Sequence, residues 1–334
     1  MPALETRIAD EPLLLMAPYN NHSQIFPDGV QDAFSDARYS PAFGRYLKRV
    51  DRLVSQGIRV RILGAYEDGD DVAPHGFSRS VNDIEKLRPG LVVRLSMYWD
   101  ADRMAVLWPR DVFQVYGTTV LAAPVFDSED FHKIAVFRDK TEQILSKLGI
   151  PKKMSAIGLS DLGMGGYVVR DGNVLVVSGV AKQDSYFLQL EHEGYKVFRL
   201  PVPGEGKGTP DLESRMINNH IDTEFNLVFS PDGNALICVN QAYYAAFHEE
   251  VDGLVKELAA VLHVIPEGSQ DREFLAVNFV RLPAGKVMMP GNCPYTQEFL
   301  ERGLGEGNVL VSEVMLDEFS GSGGGLRCMT NLIE

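Results

Sequence analysis

Three short stretches of this chain carry side chains suited to chemistry: "WPRDVF" with Asp111, "NNHIDTEF" with His220 and Asp222, and "GGGLRCMT" with Cys328. A thiol, an imidazole and two carboxylates are the groups of covalent and acid–base catalysis. Glycine admits positive φ and lets the backbone pass close to other groups, so the Gly-rich run ahead of Cys328 reads as a loop that aims one side chain. The other two thiols read differently. Cys238, inside "NALICVN", reads as core, and Cys293, between Asn292 and Pro294, as an incidental loop residue. His132, His192, His248 and His263 stand singly, without metal-ligand spacing, so no metal site is expected. "GMGGY" lacks the lysine and the following helix of a phosphate-binding loop.

The elements that must position these groups recur along the chain as strand, tight turn, strand, helix, strand. The clearest copy is the last. "FLAVNFVRLP" and "GKVMMPG" are β-rich runs around a Pro/Gly turn, "YTQEFLERG" has helical spacing with Gly303 as its stop, and "NVLVSEVML" returns as a strand. Upstream, "FNLVFSPDGNALICVN" is a hairpin with a Pro-Asp-Gly turn, followed by the amphipathic "HEEVDGLVKELAAVL" and by "HVIPEG". "GGYVVRDGNVLVVSG", turning at Asp171-Gly172, leads a third copy through "DSYFLQLEHEG" to "YKVFRLPV". "DVFQVYGTTVLAAP" with "DKTEQILSKLG" makes a fourth.

The first copy in the chain is looser, with "LLLMAPYN", the helix "FGRYLKRVDRLVSQG" and the strand "IRVRILG". Each unit is too small to bury its apolar face alone, so five units predict one shared α/β body closed as a ring or propeller. Equivalent strand ends of such a ring meet on one face near its axis. The expected organisation is a single domain over 1–334, with residues 66–100 as an insertion between the first two units.

With 45% hydrophobic and 23% charged residues among 334, the chain has the balance of a folded protein able to bury a sizeable core. Its formal net charge of -14 excludes broad nucleic-acid binding, which requires a basic face, and suits a small cationic substrate. Three cysteines without a CxxC pair make no disulfide framework and point to a reducing, cytoplasmic compartment. The apolar run "LLLMA" is too short for a signal sequence, and no stretch approaches the 18 apolar residues of a membrane span. Neither nucleic acid nor membrane is expected as a partner, and homo-oligomerisation is left open.

Taken together and in this order, the Arg-Asp, His-x-Asp-Thr and Gly-Gly-x-x-Cys motifs resemble those of the guanidine-modifying, or pentein, superfamily. That family includes arginine and agmatine deiminases, dimethylarginine hydrolases and amidinotransferases. The resemblance implies a fivefold ring of ββαβ units and cofactor-free, metal-free catalysis on a guanidino compound. It assigns Cys328 as nucleophile, His220 as general acid/base, and Asp111 and Asp222 as the carboxylates that grip the substrate. A guanidinium is planar, cationic and resonance-stabilised. Carboxylates fix its plane through paired N–H bonds, and a thiolate over that plane attacks the carbon.

Arg327 and Arg170 are candidates for a substrate carboxylate. Water as acceptor makes a deiminase or related hydrolase, an amine makes an amidinotransferase, and a chain that has lost turnover would be a binding protein. "PRDVF" and "HIDTEFN" lie nearer the transferases, and "GGLRCMT" nearer the deiminases. One departure stands out: the third unit of the family begins with an acid that orients the histidine, and here Met164 occupies that place, with Tyr167 where an aspartate is usual. Asp161 is the substitute if its loop folds inward. Glu224 is a weaker one, because it shares a side with His220 and Asp222 only in an extended run.

Overall fold

A computed structural model of the chain describes residues 12–16, 41–67, 84–97, 110, 113–116, 119–122, 141–149, 153–154, 165–178, 188, 190–201, 220–312, 326–327 and 330–333. The chain divides into two compact units, Met1–Leu159 with Glu313–Glu334, and Ser160–Ser312. The described strands form five separate sheets, and none closes on itself.

In the first unit, strand β1 (Leu13–Met16) is followed by helix α1 (Pro41–Ser55) and then by β2 (Arg59–Glu67), parallel to β1. Tyr46, Val50 and Leu53 recur at helical spacing on the buried side of α1. The looseness of this copy in the sequence has a structural reason. Its antiparallel strand comes from the far end of the chain, where β16 (Thr330–Ile333) pairs with β1 so that Leu13 lies opposite Ile333 and Met16 opposite Thr330. Part of the segment read as an insertion, β3 (Val92–Met97), extends the same sheet beside β2.

The second sheet joins β4 (Phe113–Tyr116) antiparallel to β5 (Thr119–Ala122), with β6 (Lys153–Met154) parallel to β5 after a helix, α2, at residues 141–147. Phe113, Val115, Ile144 and Leu145 share one buried cluster with Leu13, Leu63 and Ile333.

In the other unit the same order appears three times. Strands β7 (Val168–Asp171) and β8 (Val174–Ser178) form a hairpin across Gly172, whose φ of 56° is the left-handed conformation an Asp-Gly turn requires, and β9 (Lys196–Leu200) runs parallel to β8. Strands β10 (Phe225–Phe229) and β11 (Ala235–Asn240) turn at Pro231-Asp232-Gly233, helix α3 (His248–Glu257) crosses over, and β12 (Val261–Ile265) pairs parallel to β11.

All six residues of β11 are buried. Ile237 and Val239 join Val251 and Leu254 of α3 in one cluster, whereas Leu236 and Cys238 join Val287 and Met289 in the next. A strand covered on both faces reads as a continuous apolar run instead of an alternating one, which is what "ALICVN" is.

The final copy comprises β13 (Val280–Leu282), β14 (Lys286–Pro290), helix α4 (Pro294–Leu304) and β15 (Val309–Ser312). Two sequence expectations need correction here. "FLAVNFVRLP" yields a strand only at its end. The side chain of Asn226 donates to the carbonyls of Val277 (2.8 Å) and Phe279 (2.9 Å), so a long-range bond from β10 claims backbone that β propensity would place in a ladder.

Gly303 does not stop α4. The helix runs on to Leu304, and Gly305 ends it at φ 91°. Gly303 instead gives room to Leu236: a Cβ at 303 would lie 2.7 Å from its Cδ2 and closer still to its Cδ1. Alanine at an open helical site gains about 1 kcal/mol over glycine, but overpacking a core costs about 1–3 kcal/mol. Gly303→Ala is therefore expected to be net destabilising, read as a lower urea midpoint at unchanged slope. A raised midpoint would show that Leu236 repacks freely. No helix among the described residues is long and apolar enough to cross a membrane.

Candidate active site

The stretch "HIDTEF" does not run on as an extended strand. Ile221–Thr223 form a 3-10 turn between His220 and β10, closed by hydrogen bonds from the Thr223 hydroxyl to the His220 carbonyl (2.8 Å) and from Glu224 N to Ile221 O (2.9 Å). A threonine hydroxyl competing for nearby backbone is a common turn-former. The turn leaves Asp222 fully buried, and the Asp222 carbonyl accepts from the side chain of Asn278 at 3.1 Å.

The turn also redirects Glu224. Its two oxygens meet Arg272 Nη2 (3.1 Å) and Asn240 Nδ2 (3.0 Å), so Glu224 is engaged away from the imidazole. The alternation that would have brought it to His220 is absent, and its candidacy as the histidine's carboxylate is withdrawn. Met164 and Asp161 lie outside the described residues.

The seat of His220 is made of ring and backbone. Its imidazole and the ring of Tyr167 meet edge to face, centroids 5.4 Å apart and planes at 87°. A Cβ at Gly166 would lie 2.7 Å from Cδ2 of the imidazole and closer still to Cγ and Nδ1, so the ring rests on glycine backbone. Gly166 and Tyr167 are held in turn by the 3-10 turn Gly165–Tyr167 that opens β7. In the sequence, Tyr167 stands out only as a departure from the family motif, and Gly166 only as one of its small residues. The signal for their role is the pair of small residues before an aromatic at the head of a strand, which becomes meaningful once His220 is known to pack there.

Asp111 and Cys328 themselves lie outside the described residues, but their chain neighbours in the first unit do not. Arg110 is buried, and its Nε donates to the carbonyls of Arg327 (3.0 Å) and Thr330 (2.9 Å). The Thr330 amide and hydroxyl turn back to the Arg327 carbonyl, at 3.1 and 3.2 Å. Gln114 Nε2 donates to Arg110 O (2.8 Å) and Asn331 Nδ2 to Phe113 O (2.9 Å). The segments on either side of Asp111 and of Cys328 are thus stitched to each other across more than 200 residues of chain.

Arg327 is buried. Arg170, on β7, donates through Nε to Gly172 O (3.1 Å) and lays its guanidinium over the Tyr195 ring at 5.5 Å. Gly172 lies in its own hairpin and Tyr195 directly precedes β9 of the same sheet.

The two remaining thiols are both buried and belong to one apolar cluster. Cys238 is core, as its apolar surroundings in the sequence suggest. Cys293 is not an incidental loop residue: it is buried at the position that precedes the first turn of α4, and its Sγ donates to the Gly291 carbonyl at 3.3 Å. Burial, with the Asp271 carboxylate adding to it, raises the pKa of both and pushes Cys293 up to about 12. Asp271 is itself buried and accepts the amide of Thr296 in the first turn of α4 at 2.6 Å. His263 stacks on Phe299 at 4.8 Å, its Nε2 lies 3.2 Å from the Thr296 hydroxyl, and burial lowers its pKa. These groups are framework.

No family model matches the sequence, and no curated protein matches it. Solved structures do. One is the dimethylarginine dimethylaminohydrolase of Pseudomonas aeruginosa, a cysteine-to-serine mutant complexed with citrulline, at 11% identity, 96% coverage of this chain and 98% of that one, and a TM-score of 0.56. Another is the N-terminal domain of ArgZ bound to product, an arginine dihydrolase of cyanobacteria, at 16% identity, 97% and 98% coverage, and a TM-score of 0.57. A third is SxtG, an amidinotransferase of Microseira wollei in saxitoxin biosynthesis, at 16% identity, 95% and 92% coverage, and a TM-score of 0.54. The neighbours are pentein enzymes that modify guanidino groups, and at these identities the likeness is one of fold.

Proposed function

We propose that this chain of pentein fold is a cysteine-dependent hydrolase of a small guanidino compound, such as arginine or a relative of it. The Arg110 stitch gives the most direct support: Nε of one buried guanidinium bonds the carbonyls of Arg327 and Thr330, which flank Cys328, while Arg110 itself precedes Asp111. A nucleophile and a substrate-gripping carboxylate on such tied segments have the fixed spacing that covalent catalysis requires. Asp222, buried within the turn that follows His220, offers acceptor oxygens in low dielectric, where a carboxylate attracts a planar cation strongly.

The reaction proceeds in two halves. The Cys328 thiolate attacks the central guanidino carbon and forms a C–S bond. The C–N bond to the leaving amine then breaks as His220 delivers a proton to that nitrogen, leaving a covalent amidino-thioether. Water next adds to the same carbon, His220 takes its proton, and the C–S bond breaks to return the thiolate. The sum is guanidino compound plus water giving ureido compound plus ammonia or an amine. Asp111 and Asp222 hold the guanidinium plane throughout, and Arg327 and Arg170 are assigned to the substrate's own carboxylate. A second hydrolysis on the same site would make a dihydrolase. The thiol content supports a cytoplasmic location.

Transfer of the amidino group to an amine is the second reading, favoured by "PRDVF" and by the likeness to an amidinotransferase. The test is incubation with arginine, agmatine and guanidinoacetate, with ammonia and ureido product assayed with and without an acceptor amine. Ammonia without acceptor is the expected result. Product only with acceptor overturns hydrolysis in favour of transfer, and binding without either product overturns both in favour of a ligand-binding protein.

A further inference from the structure

A catalytic imidazole is ordinarily oriented by a carboxylate or carbonyl on its second nitrogen, which fixes both tautomer and ring plane. In this chain none of the described residues hydrogen-bonds the imidazole of His220, and Glu224 is engaged by Arg272 and Asn240. Among the described residues, the Gly166 backbone and the Tyr167 ring contact the imidazole. The backbone at Gly166 lies so close that no Cβ fits between, and the buried Tyr167 ring meets it at right angles. Two perpendicular constraints, one on the position of the ring and one on its tilt, are sufficient to fix a planar group that rotates about two bonds.

We propose that Gly166 and Tyr167 are positioning residues of His220, the one setting where its ring sits and the other how it tilts. The role of His220 rests on the hydrolase reading above, but the geometry of its seat does not. Gly166→Ala inserts a methyl into the ring's space and turns the imidazole. Tyr167→Leu keeps bulk and burial but removes the perpendicular face, and Tyr167→Phe keeps the face and removes the hydroxyl.

The experiment is imidazole-detected NMR on the whole protein labelled at histidine nitrogen, with His220 assigned by His220→Gln, alongside steady-state kinetics on whichever guanidino compound the chain turns over. Gly166→Ala and Tyr167→Leu are expected to shift and broaden the His220 ring resonances and to lower kcat by about 10–100-fold. KM should change by less than about threefold, because substrate is held by other groups. Tyr167→Phe is expected to restore the parent ring signature. Unchanged His220 resonances in Tyr167→Leu, or a Tyr167→Phe spectrum as disturbed as that of Tyr167→Leu, would overturn the proposal. The two readouts separate failures. If the parent turns over no guanidino compound while the ring resonances move as expected, the hydrolase reading falls and the seat stands.

Discussion

Cys328→Ala is expected to lower turnover of any guanidino substrate by about a thousandfold or more, with unfolding unchanged, because deleting the nucleophile of a covalent mechanism leaves only binding and orientation. The companion measurement is thiol labelling. Cys238 and Cys293 are buried and their pKa values raised, Cys293 to about 12, so at neutral pH neither presents a thiolate and neither is reached by reagent. The native protein is expected to take up one equivalent of iodoacetamide and lose activity in step. A guanidino substrate should slow the reaction, and Cys328→Ala should take up none. Unfolding in urea should release the other two thiols. Stoichiometric labelling of Cys293 in the native state would mean that α4 opens readily at its cap. Activity that survives alkylation of Cys328 would end the covalent mechanism outright.

The repeat was legible because each copy carries its own local signals. Asp171-Gly172 and Pro231-Asp232-Gly233 mark hairpins by backbone chemistry, and "HEEVDGLVKELAAVL" shows its buried face by spacing. What sequence could not supply was anything decided between copies. The antiparallel strand of the first sheet is residues 330–333, more than 300 positions from its partner β1, and no local pattern announces that pairing. Glu224 would share a side with His220 only in an extended run. One threonine hydroxyl turning back on the His220 carbonyl changed the geometry and gave Glu224 to Arg272.

Gly303 misled for the same kind of reason. A glycine near a helix end usually stops the helix, but here the demand for glycine comes from Leu236 on another strand. The motifs of the candidate site were visible as residue types, whereas their support was not: Arg110, Gly166 and Asn278 act through contacts 54 to more than 200 residues away. Arg110 stands out in the sequence only as the neighbour of Asp111. Its Nε bonds reach the carbonyls of Arg327 and Thr330.

Removing that reach should destabilise the fold more than the added methyl of Gly303→Ala does. In Arg110→Leu the carbonyls of Arg327 and Thr330 lose their charged donor inside a buried site. The Arg327 carbonyl keeps the Thr330 amide and hydroxyl, but a hydrogen bond from a charged donor contributes about 1.5–3 kcal/mol, and its loss outweighs the gain from a leucine's apolar burial. A net loss of about 2–4 kcal/mol is expected, a large part of the margin of an ordinary domain. The loss should be local before it is global, because Arg110 holds the entry to β16, which among the described strands is paired on one side only. Amide exchange at residues 330–333 should therefore quicken more than at β11, which lies between two strands. Arg110→Lys keeps the charge but offers a point donor on a flexible stem in place of a planar Nε set between two carbonyls, so it should recover only part of the loss. Asn331→Ala removes one neutral bond to Phe113 O and should cost about 1 kcal/mol. If exchange in β16 stays at the parent rate in Arg110→Leu while the urea midpoint falls, the stitch serves the core at large, and the chain end that bears Cys328 is held by something else.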